Sequence, residues 1–150
     1  MSEHNKEVTL SVSRAIMNGE WDKLDKLLSD DFRYSGDGLE FNKKEYTEFM
    51  KGLKDAMSGM NMEFTHVLDS GEDMVTVRFL TTCKNTGKFM GAPATGKDLT
   101  ISGIFFRQVK GDKVVREWQT TDLLGMMTQM GFGTLMGYSV FNVLLKPKKH

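Results

Sequence analysis

The stretch Leu99–Asp122, LTISGIFFRQVKGDKVVREWQTTD, decides the fold. Its two runs of mostly β-branched and aromatic residues flank residues 110–112 (KGD), which suit a short turn, and together they predict an antiparallel hairpin. Residues 62–68 and 74–84 show strand-like patterns further upstream. The second half of the chain therefore predicts a run of antiparallel strands.

The pairing across this hairpin brings candidate functional residues together. If the strands pair across a three-residue turn, Ile104 lies opposite Trp118, and both share a face with Phe106 and Asp122. On a concave face, Asp122 would close a pocket with apolar walls, where desolvation suits a carboxyl to proton transfer. The alternative is that Asp122 caps a helix beginning at Leu123. A carboxylate at a helix start can do both.

The first third of the chain carries helical spacing. Apolar residues recur at helical intervals in 8–16 and, after a break at 18–19, in 21–28. A third helix is indicated by Asn42 as a cap and Glu45 three residues later as the returning carboxylate. Helices followed by antiparallel strands predict an α+β domain with the helices packed on one side of a sheet.

Composition excludes several classes of protein. The 150 residues include 20 basic and 20 acidic side chains, whereas phosphate binding needs a basic excess, so nucleic acid is not the expected partner. One cysteine cannot form an internal disulfide, and the amino terminus lacks the apolar core of a secretory signal. No apolar run approaches the roughly 20 residues of a membrane-spanning helix. We therefore expect a cytoplasmic protein without a membrane partner.

Other titratable residues give weaker indications. His66 alternates with Met62, Phe64 and Leu68, so we expect it to face apolar neighbours, either as a proton relay or as a core histidine with its hydrogen bonds satisfied. No His, Cys or carboxylate set has the spacing of metal ligands, so we expect no metal. Cys83 has no activating motif nearby and is expected to be buried as a small hydrophobe.

Several segments resemble a known family. They are NTGKFMGAPATGK at 85–97, Gly103, Arg107, VVREWQTTDLLGMM at 114–127 and QMG at 129–131. Together they resemble the SnoaL-like polyketide cyclases, which have the nuclear-transport-factor-2-like fold. The resemblance implies a cone-shaped half-barrel, in which three N-terminal helices pack on a curved, mostly antiparallel sheet around an interior pocket.

The resemblance also implies a chemistry. In cyclases of this family, an aspartate in the position of Asp122 acts as acid and base in an intramolecular aldol closure, without metal or cofactor. Histidine often stands where this chain has Asn85, which keeps a hydrogen-bond donor but does not titrate. Asp122 is thus the predicted catalytic residue. The predicted substrate-binding residues are Tyr34, Leu53, Phe64, His66, Asn85, Ile104, Phe106 and Trp118.

Three functions stay open at this point. The first is a cofactor-free lyase or isomerase of cyclase type acting on a small apolar carbonyl compound. The second is a noncatalytic protein that binds a hydrophobic small molecule, and the third is an interaction domain whose own side chains fill the cavity. We also expect a homodimer, formed through the sheet face opposite the pocket, which would expose Ile101, Phe105 and Val115.

The chain divides into a cyclase-type domain at 1–130 and an apolar extension at 131–150. The extension contains 15 mostly apolar residues before its terminal lysines, too few to span a bilayer that needs about 20. An apolar segment of this size aggregates unless it is covered. We therefore expect the extension to pack on the domain or on a dimer partner.

Overall fold

Four helices and six strands make up the part of the chain that the structure, a computed structural model, describes: residues 2–89, 91 and 93–131. The helices are α1 (Ser2–Asn18), α2 (Trp21–Leu27), α3 (Lys43–Ala56) and α4 (Leu123–Met130). The strands are β1 (Leu28–Gly36), β2 (Leu39–Asn42), β3 (Met57–Gly71), β4 (Met74–Asn85), β5 (Asp98–Lys110) and β6 (Lys113–Thr121). None of these helices is both long and apolar enough to cross a membrane. The predicted extension lies, from residue 132 onward, outside the described residues.

The strands form one mixed sheet in the order β2-β1-β6-β5-β4-β3. β1 and β6 are parallel, and the other four neighbouring pairs are antiparallel. The sheet is curved and does not close, and the helices pack on it. The predicted α+β half-barrel is confirmed, with α4 added to the three predicted helices.

Helix α3 begins at the predicted cap. The Asn42 side chain accepts a hydrogen bond from the Glu45 N–H (2.9 Å), and the Glu45 carboxylate accepts one from the Asn42 N–H (3.0 Å). Both bonds satisfy backbone donors that a helix start leaves unpaired. The helix then buries Tyr46 and Met50 in the core. The cap fixes the residue at which α3 begins, and the position of the start determines which side chains of the helix face the sheet.

The β5–β6 hairpin forms with a register different from the predicted one. Its turn consists of residues 111–112, two rather than three, and a β-bulge interrupts the pairing that follows. As a result Phe106 lies opposite Trp118 where Ile104 was expected. Because the difference is two residues, the predicted side chains still share one face of the hairpin.

That face is the outer one, and the prediction that it is concave is wrong. Ile104 and Phe106 are 47% and 38% exposed, whereas Phe105, Arg107 and Glu117 on the other face are buried. Apolar residues normally mark the inner face of a strand. Here the charged residues Arg107 and Glu117 lie on the inner face, and the aromatic residues Phe106 and Trp118 lie on the outer one.

The buried charges lie at the centre of a polar cluster. The Arg107 Nε donates to Glu117, and its Nη1 donates to the Thr9 carbonyl (2.6 Å) and to the Ser13 hydroxyl (2.8 Å). The Tyr46 hydroxyl donates to the same Glu117 carboxylate (3.1 Å). Arg107 and Glu117 are 2% and 0% exposed, so their charges are compensated by these partners rather than by water. The cluster joins α1 and α3 to the hairpin.

We expect Glu117→Gln to lower the free energy of unfolding by about 3–5 kcal/mol, because it leaves the Arg107 guanidinium buried without its counter-charge. Urea denaturation followed by circular dichroism measures this. The control is Glu7→Gln, which removes an exposed ion pair with Arg14 (3.2 Å) and should change stability little. Equal, small effects of the two substitutions would show that the buried pair does not hold the fold.

Candidate functional site

The inner face of the sheet and helices α1, α3 and α4 enclose a cavity of about 200 Å³. Its walls are mainly apolar, and half of the chain's 12 methionines line it: Met17, Met50, Met57, Met60, Met62 and Met126. Methionine side chains are flexible and polarizable, so such walls adapt to ligands of different shape. Among the described residues, no side chain fills this space, which favours a ligand-binding cavity over an interaction domain with a filled one.

Polar groups line the cavity beside strands β1 and β6. Asp37, in the turn between β1 and β2, accepts hydrogen bonds from the Thr121 N–H (2.8 Å) and hydroxyl (2.6 Å). The Gln119 amide donates to the same Thr121 hydroxyl (3.0 Å). The Asp37 φ of 51° lies in the left-handed region, and the two bonds from Thr121 hold the carboxylate in place there. We call Tyr34, Asp37, Gln119 and Thr121 the polar edge; all four line the cavity.

Tyr34 supplies the hydroxyl of this edge. Its side chain is 3% exposed, and among the described residues its hydroxyl takes part in no hydrogen bond. Burial raises the pKa of Tyr34 above its ordinary value of 10.0, and the negative charges of Glu117 and Asp37 raise it further, against a smaller opposite effect of Arg107. Tyr34 therefore keeps its proton at neutral pH and can donate a hydrogen bond into the cavity.

Gly36 makes room for that hydroxyl. A Cβ at this position would lie 2.7 Å from the Tyr34 hydroxyl oxygen and 2.5 Å from the Gln119 carbonyl oxygen. Both distances are shorter than real side chains adopt, so the backbone position tolerates no side chain without a shift. The absent side chain allows the tyrosine ring to lie along β1 with its hydroxyl at the polar edge.

Of the predicted site residues, Tyr34 and Leu53 line the cavity. Asn85 is buried next to the start of the 86–97 loop, where its amide donates to the Gly87 carbonyl (3.1 Å) and accepts from the Thr95 N–H (2.8 Å). These bonds hold the loop and leave the amide directed at backbone. Asn85 is not among the residues that line the cavity, and its contact with substrate stays a prediction.

A β-bulge places His66 on the outer face. The pairing of β3 with β4 shifts between Phe64 and His66, so that the alternation expected from the sequence changes phase. Phe64 still packs in the inner core with Val67, but it does not line the cavity. His66 and Leu68 are exposed, and the prediction that His66 faces apolar neighbours is wrong.

Ile104, Phe106 and Trp118 also lie outside the cavity, on the outer face of the hairpin. The Phe106 and Trp118 rings stack with their centroids 5.2 Å apart, and the Arg116 guanidinium lies 4.9 Å from the Trp118 ring. The predicted walls of the pocket therefore form an external patch instead. Their inner-face counterparts, Phe105 among them, line the cavity.

Asp122 is the cap of α4, as the alternative reading of the sequence predicts. It is exposed, and its carboxylate accepts a hydrogen bond from the Gly125 N–H (2.9 Å). Its neighbours Thr121 and Leu123 line the cavity, whereas Asp122 is not among the lining residues. Its role as acid and base stays a prediction.

Asp37 was not predicted from the sequence as a site residue. The one signal was an aspartate between two glycines directly after a strand, in residues 36–38. Such a turn gives no indication of the direction of the carboxylate. The pairing of Arg107 with Glu117 was not predicted from the sequence either.

The absence of a metal stays a prediction. Within the described ranges, no group of three His, Cys, Asp or Glu side chains is arranged to hold one.

The fold and the cavity define the class: an open α+β cone with an apolar cavity that has polar groups on one side. The model of the family described as SnoaL-like polyketide cyclase matches residues 6–130, and the chain belongs to this family. No curated protein sequence matches the chain.

Solved structures share the fold at low sequence identity. A candidate SnoaL-like polyketide cyclase from Jannaschia sp. CCS1 superposes with a TM-score of 0.80 at 20% identity, over 88% of this chain and 94% of that one. A candidate hydroxylase from Streptomyces galilaeus gives 0.77 at 20% identity, over 87% and 97%. An epoxide hydrolase from M. tuberculosis gives 0.68 at 13% identity, over 95% and 97%. These likenesses show the fold alone.

The buried tyrosines predict how the protein responds to alkali. Burial raises the pKa of both Tyr34 and Tyr46 above 10.0, so their neutral forms stabilise the fold fully below pH 10, and this stabilisation is lost as the pH rises beyond it. We expect both to ionise only as the protein unfolds. Tyrosinate absorbance should therefore rise together with the loss of circular dichroism, apart from the contribution of Tyr138, which lies outside the described residues. Ionisation of all three tyrosines near pH 10 in the folded protein would contradict this.

Proposed function

We propose that the protein is a cofactor-free acid–base enzyme of cyclase or isomerase type, acting on a small apolar carbonyl compound in the cavity. The observation that carries this proposal is the pairing of Tyr34 with Asp37 at the polar edge. Asp37 is the one carboxylate among the described residues that line the cavity. An acceptor of protons and a neutral hydroxyl donor thus face the same apolar space, which is the minimum that enolate chemistry requires.

The proposed step is proton abstraction next to a carbonyl. The Asp37 carboxylate takes a proton from the α-carbon, and the electron pair of the C–H bond moves into the enolate. The Tyr34 O–H donates a hydrogen bond to the enolate oxygen, where negative charge develops. The α-carbon then either attacks a second carbonyl of the same molecule, forming a C–C bond, or is reprotonated. In both routes the protonated Asp37 returns its proton, to the new alkoxide or to carbon, so that the enzyme ends unchanged.

The apolar walls contribute to this step in two ways. They exclude water, which strengthens the hydrogen bond from Tyr34 to the developing charge. They also hold a flexible chain folded, so that ring closure becomes a reaction between groups already in contact. The methionines adapt the walls to the substrate, while the polar edge keeps its position through the bonds between Asp37 and Thr121.

We test the proposal with benzylacetone, an apolar ketone that carries acidic C–H groups beside its carbonyl. In deuterium oxide the wild-type protein should catalyse exchange of these protons, measured by NMR. Asp37→Asn should slow the exchange at least about a hundredfold, because the amide cannot accept the proton. Tyr34→Phe should slow it about a hundredfold, because the hydrogen-bond donor to the enolate oxygen is lost. Tyr34→Phe keeps the ring, so binding should stay close to wild type.

The matched control is Asp122→Asn, which changes the carboxylate predicted from the sequence. We expect it to leave exchange within a few-fold of wild type. Loss of exchange in Asp122→Asn together with normal exchange in Asp37→Asn would return the acid–base role to Asp122. Normal exchange in both variants would remove both carboxylates from the chemistry.

The second candidate is a noncatalytic binding protein for the same class of molecule. The observation in its favour is that both oxygens of Asp37 already accept hydrogen bonds from Thr121, which leaves fewer of their lone pairs free to take a proton from a substrate. A wild-type protein that binds benzylacetone but does not accelerate exchange would support this candidate. The measurement of proton exchange in benzylacetone therefore separates the enzyme from the binding protein.

We also propose a homodimer, formed through the outer aromatic patch (Ile104, Phe106 and Trp118). This is the sheet face opposite the pocket, as expected from the sequence, but Ile101 and Phe105, which were assigned to it, line the cavity instead. Exposed aromatic side chains on a sheet face usually mark an interface.

Phe106→Lys should convert the dimer to a monomer at tens of micromolar, because it places a charge in the apolar centre of the contact. Sedimentation velocity measures the change. Leu124→Lys, which alters an exposed apolar residue of α4 away from the sheet, is the control and should stay dimeric. A wild-type monomer at the same concentration would contradict the proposal.

We propose that the protein is located in the cytoplasm. The single cysteine, Cys83, is unpaired and buried, which suits a reducing environment. Detection of the protein in fractionated cells tests it.

A further inference from the structure

A further polar side chain lines the cavity at a distance from the polar edge. Thr81, on the inner face of β4, is 5% exposed and lines the cavity. Its strand neighbours in the sheet are Met62 on β3 and Ile101 on β5, both apolar. Among the described residues its hydroxyl has no hydrogen-bond partner. A buried hydroxyl is thus directed at the same space that the proposed substrate occupies.

An unpaired buried hydroxyl destabilises a fold, because it loses its hydrogen bonds with water and gains none in return. Valine has the same shape as threonine and would line the cavity without this cost. The hydroxyl of Thr81 therefore has a physical use only when something in the cavity pairs with it. The hydroxyl of Thr9 is also buried and unpaired among the described residues, but Thr9 is not a cavity-lining residue. Of the two threonines, Thr81 lines the cavity, where its hydroxyl can contact a ligand, and Thr9 does not.

The position of Thr81 sets the length of that ligand. Strands β6 and β5 lie between β1, which carries Tyr34, and β4. Three strand spacings amount to about 14 Å along the sheet. The curvature of the sheet and the length of the tyrosine side chain shorten the gap between the two hydroxyl groups. A molecule that contacts both must carry polar atoms at its two ends and an apolar body between them.

We propose that Thr81 is a second anchor for the substrate, which is an elongated apolar molecule with an oxygen function at the end remote from the reacting carbonyl. The inference rests on the proposed function, since it takes the carbonyl to lie at Tyr34 and Asp37. The Thr81 hydroxyl donates to a carbonyl oxygen or exchanges hydrogen bonds with a hydroxyl. The anchor fixes which end of the molecule reaches Asp37.

Cys83 provides a direct measure of occupancy. It lies two residues after Thr81 on the same face of β4, lines the cavity and is the one cysteine of the chain. A ligand bound beside Thr81 shields this thiol from a thiol-specific reagent. The dependence of the modification rate on ligand concentration gives the dissociation constant.

Two ketones test the anchor. Benzylacetone has oxygen at one end, and para-hydroxybenzylacetone adds a hydroxyl at the other end without changing the skeleton. We expect the wild-type protein to bind the hydroxylated ketone roughly three- to tenfold more tightly, the range of one hydrogen bond. Thr81→Val should bind both ketones equally, with unchanged affinity for benzylacetone. Thr81→Ser, which keeps the hydroxyl, should retain the preference.

Thr9→Val is the matched control, because it removes a buried unpaired hydroxyl outside the cavity lining. It should keep the full preference for the hydroxylated ketone. Thermal melting of each variant establishes that it is folded before binding is measured. If Thr81→Val does not fold, Thr81→Ala replaces it, and we expect Thr81→Ala to lose the preference and Thr81→Ser to keep it.

The outcomes separate this inference from the proposed function. A preference that survives in Thr81→Val, or its absence in the wild type, overturns the anchor, while catalysed exchange of benzylacetone leaves the function standing. A preference that is lost in Thr81→Val without any catalysed exchange supports the anchor and overturns the function. Failure of both ketones to protect Cys83 overturns the anchor, and the exchange measurement then decides the function by itself.

Discussion

The ion pair between Arg107 and Glu117 is the interaction on which the rest of the structure depends. Both charges are buried on the inner face of the β5–β6 hairpin, where each is acceptable only because the other is present. The guanidinium also binds α1 through Thr9 and Ser13, and the carboxylate binds α3 through Tyr46. Two of the helices that pack on the sheet, α1 and α3, are thus joined to it by one cluster of hydrogen bonds. The apolar cavity lies beside this cluster.

The same cluster influences the chemistry of the neighbouring edge. The negative charge of Glu117 and the burial of the ring keep Tyr34 protonated, as does the charge of Asp37. A protonated tyrosine donates a hydrogen bond and does not compete with the carboxylate for a proton. Asp37, in turn, is held by Thr121 at the end of the hairpin that carries the ion pair. Fold and proposed chemistry therefore depend on the same strands.

The sequence predicted the elements of the fold well and the faces of its strands poorly. The cap of α3 was predictable because Asn42 and Glu45 satisfy backbone donors within four residues of each other. The inner face of the hairpin was not, because Arg107 and Glu117 compensate each other only after folding. A pattern of apolar residues selects the opposite face, which carries Phe106 and Trp118.

The candidate site was harder to predict for a related reason. The bulge between Phe64 and His66 reverses the direction of the side chains that follow, and no residue type marks it in advance. Asp37 reaches the cavity through a left-handed turn whose direction depends on bonds to Thr121, far away in sequence. Tyr34 and Leu53, which lie in regular elements, line the cavity, and their contact with substrate stays a prediction. Local patterns thus indicated Tyr34 and Leu53, whereas long-range contacts determined the positions of the other candidates.

The proposed chemistry requires that a carbonyl compound binds in the cavity with its reacting end at the polar edge. A crystal structure of the protein with benzylacetone tests it most directly. The account predicts the ketone oxygen within hydrogen-bond distance of the Tyr34 hydroxyl, with the α-carbon in contact with the Asp37 carboxylate. A ketone bound outside the cavity, or bound inside it with its oxygen directed away from Tyr34, would contradict the account.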